Sequence, residues 1–191
     1  MREDDEPDEG LKRLLDARDA GDMDVLLEAL RSDPEYAHVA ARLLAHAGEA
    51  RAVPLLVELL DSGRASARLA AVRALAALGA PPDARARLTE IALGDPQPSA
   101  REWACVAIGG YGDDEASRVL LVLLADPVRA VRLGAVHGLV AVGDPAAIEP
   151  ILASRPGPLR HPGDWLLSRG PLKLAVARLE RRRAQAAAAA V

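Results

Sequence analysis

The stretch ADPVRAVRLGAVHGLVAVG, residues 125–143, decides the fold. Its pattern returns as DSGRASARLAAVRALAALG at 61–79 and as DPQPSAREWACVAIGGYG at 95–112, with a weaker copy, DPEYAHVAARLLAHAG, at 33–48. The glycines that close the copies, Gly48, Gly79, Gly112 and Gly143, stand 31, 33 and 31 residues apart. Self-similarity at such a period means stacked supersecondary units, each burying its apolar face on its neighbours.

Each copy is preceded by a second apolar segment: AVPLLVELL at 52–60, ARARLTEIAL at 84–93 and RVLLVLLA at 118–125. Within the copies an arginine recurs, Arg68, Arg101 and Arg132. Three, four, seven and ten residues beyond it lie Ala71, Val72, Leu75, Leu78; then Ala104, Cys105, Ile108, Tyr111; then Ala135, Val136, Leu139, Val142. That is helical spacing, with a small residue at one fixed place and larger ones at the others. Asp-Pro at 33–34, 95–96 and 126–127 fits an N-cap followed by proline at the first helical position. The closing glycines fit left-handed C-caps. One unit is therefore helix, tight turn, helix and a short link.

These residues resemble the HEAT repeat, and more closely the short bacterial HEAT-like repeats of the phycocyanobilin-lyase type. The signature stands here as Leu55-Leu56, Leu59-Leu60-Asp61, Ala67-Arg68, Ala71 and Ala77-Leu78-Gly79, and again as Val131-Arg132 and Ala135. Departures are Gly134 and Gly138 inside a helix and His38 at the arginine place. The resemblance implies an all-α fold, an α-α superhelix whose inner helices line a concave side. It also implies a structural ladder between neighbouring units, formed by Asp61 and Arg68, Asp95 and Arg101, and Asp126 and Arg132. Each aspartate would cap an inner helix and accept a charge-assisted bond from a neighbouring arginine.

The expected organisation is an acidic disordered arm at 1–10, a HEAT-like repeat domain at 11–183 and an Ala-rich tail at 184–191. The repeats run about 22–48, 49–79, 80–112 and 113–143, with a degenerate one at 144–170 and a C-terminal cap helix at 171–183. Residues 11–20 form a short amphipathic helix over the open end of the stack, as a solenoid requires. Arg155-Pro-Gly-Pro158 and His161-Pro-Gly163 break the pattern of the fifth repeat, leaving a short apolar anchor at Trp165. Arg181, Arg182 and Arg183 sit near the last helix end, where the helix dipole favours positive charge.

Composition narrows the function. Half the residues are apolar but none is Phe, so leucine, valine and alanine must build the core. The net charge of −4 conceals −5 in residues 1–10 and +4 in residues 173–191, and the body has no basic excess. A nucleic-acid partner needs clustered Lys and Arg to displace counterions, and the body does not supply them. One cysteine excludes an internal disulfide and fits a reducing compartment. The acidic start is the opposite of a signal peptide, and no apolar run spans a bilayer. A cytoplasmic protein of a GC-rich bacterium is expected.

For binding, the inner-helix face opposite the core positions is the place to look. It carries Leu69, Arg73 and Ala76; Glu102, Val106 and Gly109; Leu133, His137 and Val140, with Trp103 alongside. Exposed apolar strips rimmed by charge mark interfaces. Leu69, Arg73, Glu102, Trp103, Val106, Leu133 and His137 are the candidate partner-binding residues; the competing reading tucks the apolar ones into seams between repeats. No catalytic set, cofactor or metal is implied. Cys105 falls at a core position, and His38, His46, His137 and His161 make no zinc spacing with it. The resemblance also admits an accessory lyase-like or DNA-glycosylase-like enzyme working in the concave groove.

Overall fold

The computed structural model describes residues 8–154 and 162–189, the latter segment by its backbone alone over 162–173 and at 189. The acidic residues 1–7, the interruption at 155–161 and the Trp165 side chain lie outside the described residues. Among the described residues every regular element is a helix. The helices gather into two compact units, Met1–Arg87 and Leu88–Val191, the boundary falling inside one helix.

The first unit opens with α1 (Glu9–Ala20), capped by the Asp8 carboxylate, which accepts from Gly10 N–H, and closed by Gly21 in the left-handed conformation. The last residues of the expected acidic arm thus belong to a helix. Leu14 and Ala17 bury the inward face of α1 against α2 (Met23–Ser32) and α3 (Ala37–Ala47). Tyr36, just before α3, donates its hydroxyl to Asp8 and ties α1 down. A 3-10 turn at Ala50–Ala52 leads into α4 (Val53–Leu59), which packs on α5 (Ala65–Leu78); α5 in turn packs on α3. Leu26, Leu30, Leu44, Leu56, Leu60 and Leu75 are fully buried. Each contributes about 1.5–3 kcal/mol by leaving water. Aliphatic side chains alone build this core, as the lack of Phe requires.

The second unit takes up within α6 (Arg85–Gly94) and continues with α7 (Pro98–Gly109), α8 (Asp114–Leu123) and α9 (Arg129–Val142). A 3-10 turn at Pro145–Ala147 precedes the short α10 (Ile148–Ala153), and α11 spans Pro162–Ala189. Helix α8 packs on α7 and α9, and α11 packs on α9 and α10. Ile108, Leu120, Leu139, Ile151 and Leu179 fill the spaces between them.

Helices α7 and α9 approach backbone to backbone, and the cause is the pair of glycines, Gly134 and Gly138, that depart from the repeat pattern. A methyl group built on Gly134 would stand 2.6 Å from the Glu102 carbonyl oxygen, and one on Gly138 would stand 2.6 Å from that of Cys105. Gly109 of α7 meets the Gly138 backbone in the same way, at 2.5 Å. Glycine costs about 1 kcal/mol in a helix relative to alanine. Here it lets two backbones touch, and the dispersion contacts so gained offset that cost.

Several local expectations need correction. The Asp-Pro pairs do not start the inner helices. Asp33 closes α2, and α3, α7 and α9 are entered from Tyr36, Gln97 and Val128. The aspartates instead make Asx turns one step earlier: Asp33 accepts from Glu35 N–H at 3.1 Å, Asp95 from Gln97 N–H at 2.8 Å and Asp126 from Val128 N–H at 2.7 Å. Such a side-chain bond two residues forward competes with helix and delays its start. Tyr111 does not end α7, which stops at Gly109; the chain turns through Gly110 and reaches positive φ only at Gly112. Leu78, Tyr111 and Val142 are half-buried and do not join the core. The last helix does not begin at residue 171: α11 runs through Gly170 and Pro171 from Pro162.

Candidate functional site

The arginine place of each repeat does one thing three times over. Arg68 Nη1 donates to the Ser62 carbonyl at 2.9 Å, Arg101 Nη1 to that of Asp95 at 2.7 Å, and Arg132 Nη1 to that of Asp126 at 2.9 Å. In every case the acceptor lies six residues back, so the guanidinium closes the loop that enters its own helix. Arg101 also reaches the following repeat. Its Nε meets Asp126 Oδ2 at 3.0 Å and its Nη2 meets Oδ1 at 3.2 Å, a two-pronged pair whose side chains are 12% and 8% exposed. Burial alone would push the Asp126 carboxyl up. The Arg101 hydrogen bonds and the Val128 N–H overcome that and hold it below the usual carboxylate range.

Asp61 does not occupy the same place. It stands seven residues before Arg68, where Asp95 and Asp126 stand six before theirs. The sixth place is Ser62, whose hydroxyl accepts from Arg64 N–H at 3.2 Å as the aspartates accept in their turns. Asp61, with its side chain 73% exposed, pairs with Arg87 at 2.7 Å. Counting back from the arginine, and not forward from the aspartate, would have shown this.

The candidate binding residues fall on the inner helices of both units. In the first, α5 presents Leu69 half-buried and Arg73 exposed. In the second, Glu102, Trp103 and Val106 of α7 and Leu133 of α9 are half-buried, while His137 is exposed. The close glycine contact brings the α7 and α9 members onto neighbouring, tightly held helices. Half-burial lies between the two sequence readings: these side chains neither vanish into a seam nor stand clear of it.

A feature the sequence reading missed lies beside them. Between α9 and α11 the second unit holds an open groove of about 820 Å³. Its apolar lining is Val140 and Ala141 of α9 with Leu174 and Ala175 of α11. His137, Arg178, Arg181 and Arg182 rim it. Arg182 leans back to the carbonyls of Ala141 and Val142, each at 3.4 Å, at the negative end of α9. The signal was present: residues 174, 178, 181 and 182 share a helix face by their spacing of four, three and one.

Cys105 is fully buried on α7, its Sγ 4.0 Å from the Val131 carbonyl. Burial first, and then the Asp126 charge, pushes its thiol up to about 12, the opposite of an activated nucleophile. Among the described residues no three His, Cys, Asp or Glu side chains come together as a metal site. Among them too, no helix is long and apolar enough to cross a membrane.

Paired helices iterated along the chain, joined by arginine-closed loops, define an α-helical repeat protein. The HEAT-repeat family matches at residues 23–96 and again at 85–156, and the chain belongs to that family. Among solved structures the chain is similar to an engineered protein whose crystal structure came from the Northeast Structural Genomics Consortium. The TM-score is 0.59 at 22% identity, over 90% of this chain and 84% of that one, a likeness of fold. No curated protein matches.

Proposed function

We propose that this protein is a non-catalytic HEAT-repeat adaptor that holds a protein partner on the faces of its inner helices. Leu69 and Arg73 contribute from the first unit, and Glu102, Trp103, Val106, Leu133 and His137 from the second. The observation that carries this reading is the α7–α9 pair. Two helices locked backbone to backbone hold Trp103, Val106 and Leu133 half-open on a rigid base, with Glu102 and His137 close by. A rigid apolar strip costs little ordering entropy when a partner covers it, and charged neighbours give orientation. The repeats at 22–48, 49–79, 80–112 and 113–143 are the units of this adaptor, and the buried, reduced thiol supports work in the cytoplasm.

Site-specific photo-crosslinkers at Val106 and at Leu133 test the proposal in the source cells. The expected result is one shared protein adduct at both positions, lost on Glu102→Arg and Arg73→Glu. Crosslinks that scatter over unrelated proteins, or that survive both charge reversals, would remove the inner-helix face from consideration. Turnover of a small molecule by the isolated chain would remove the non-catalytic reading.

A further inference from the structure

We infer that the groove between α9 and α11 is a second recognition site, adjoining the inner-helix strip at His137, and that it takes an acidic peptide segment carrying one aliphatic anchor residue. This deepens the adaptor reading and rests on it, by naming the chemistry of what one part of the second unit binds.

The apolar lining and the rim make different demands. In the lining Leu174 is 52% exposed. Together with Val140, Ala141 and Ala175 it makes one apolar patch, against which an aliphatic side chain entering from outside leaves water. The rim is cationic. Arg178 and Arg181 are exposed and make no hydrogen bond or ion pair with other described residues. Arg182 spends its weak bonds on the α9 carbonyls and keeps its charge facing the groove. Glu180, the acid in this stretch of α11, falls on the opposite helix face by its spacing from Arg178 and Arg182. The rim is thus positive on a chain whose net charge is −4.

Carboxylates complement such a rim, because guanidinium and carboxylate pair through parallel hydrogen bonds. A volume of about 820 Å³ is within the range of ligand-sized clefts, and its open form suits a peptide segment more than an enclosed small molecule. A nucleic acid is the poorer fit. Its backbone requires a basic track along many phosphates, and here three arginines of one helix stand on a chain of net charge −4. The apolar lining has no phosphate to serve.

The test is selection of a displayed random-peptide library on the full chain, followed by binding of the synthesised consensus by fluorescence anisotropy. The expected consensus has two or more Asp or Glu around one Leu, Ile or Met. Its affinity should fall about tenfold or more in Arg178→Glu/Arg181→Glu, and by a similar factor in Leu174→Asp. Arg73→Glu and Glu102→Arg should leave it within about twofold, since they lie outside the groove. Those two variants separate the proposals: a cellular crosslink that survives both of them, while the peptide still binds and is lost only in the groove variants, sinks only the inner-helix reading. Thermal melts of each variant exclude unfolding, and Leu174→Asp tests the groove without touching an arginine. No enrichment, a basic or neutral consensus, or equal binding to the variants would overturn the inference. So would preferential binding of an oligouridylate that the acidic peptide does not displace.

Discussion

The two units solve one packing problem in different ways. In the first, α3 and α5 pack on each other with no glycine in either helix; Ala40 and Ala41 of α3 and Ala67, Ala71 and Ala74 of α5 are buried. In the second, α7 and α9 meet through Gly109, Gly134 and Gly138 with backbone against backbone. Counting from the repeat arginine, Gly134 and Gly138 stand where α5 has Ala70 and Ala74. One methyl at each place separates an ordinary helix pair from a nearly touching one. The lesson is that a repeat can be regular in its loops and still set the rigidity of each pair with two small residues.

The sharpest way to break this comparison is to exchange the small residues. Gly138→Val should cost about 3 kcal/mol or abolish folding of the second unit, because its side chain has no space beside the Cys105 carbonyl. Its counterpart Ala74→Gly should cost only about 1 kcal/mol. Urea melts of both variants measure the difference; near-equal costs would mean that the glycine contact is not close in solution.

The loops offer a second contrast. Asp126→Ala should cost about 2–3 kcal/mol, since it strands the half-buried Arg101 and removes an Asx turn. Asp61→Ala, at an exposed pair, should cost about 0.5 kcal/mol or less. The Asp126 share also has a pH signature. A carboxyl held low in the folded state stabilises fully above the ordinary value of about 3.9 and loses that effect as pH falls through its lower folded value. Wild type and Asp126→Ala should therefore converge in stability only in strong acid.

Smaller effects follow at single groups. Cys105 should react with a thiol reagent at the rate of α7 opening and not at the rate of a free thiol, and Gly134→Ala should hasten it. Tyr36 should titrate near pH 12, pushed up by its bond to the Asp8 carboxylate, and Asp8→Asn should bring it back towards about 10. The phenolate absorbance of Tyr36→Phe subtracted from wild type isolates that step.

The repeat itself was open to reading in the sequence, because the arginines and the closing glycines answer to backbone geometry that any copy must share. What escaped reading depends on tertiary fit. Asp61 resembles its partners by type, but a one-residue offset hands its turn to Ser62. Gly134 and Gly138 read as blemishes because propensity sees only their own helix, whereas their purpose lies on α7. The groove was hidden for another reason. Gly170 and Pro171 signal a helix break by local rules, so the sequence predicts a last helix from 171 with its basic residues near a helix end. Only when α11 is laid against α9 do Leu174, Arg178 and His137 become neighbours.

The glycine contact also limits how such a chain can be rearranged. Repeat proteins are often treated as strings of interchangeable modules, open to duplication, deletion and reshuffling. Here the fourth module fits only behind the third: inserting the helix of module two in its place would drive the methyls of Ala70 and Ala74 into the carbonyls of Glu102 and Cys105. Order is thereby written into the array, and any lengthening by duplication is expected upstream of α7 and not across this joint.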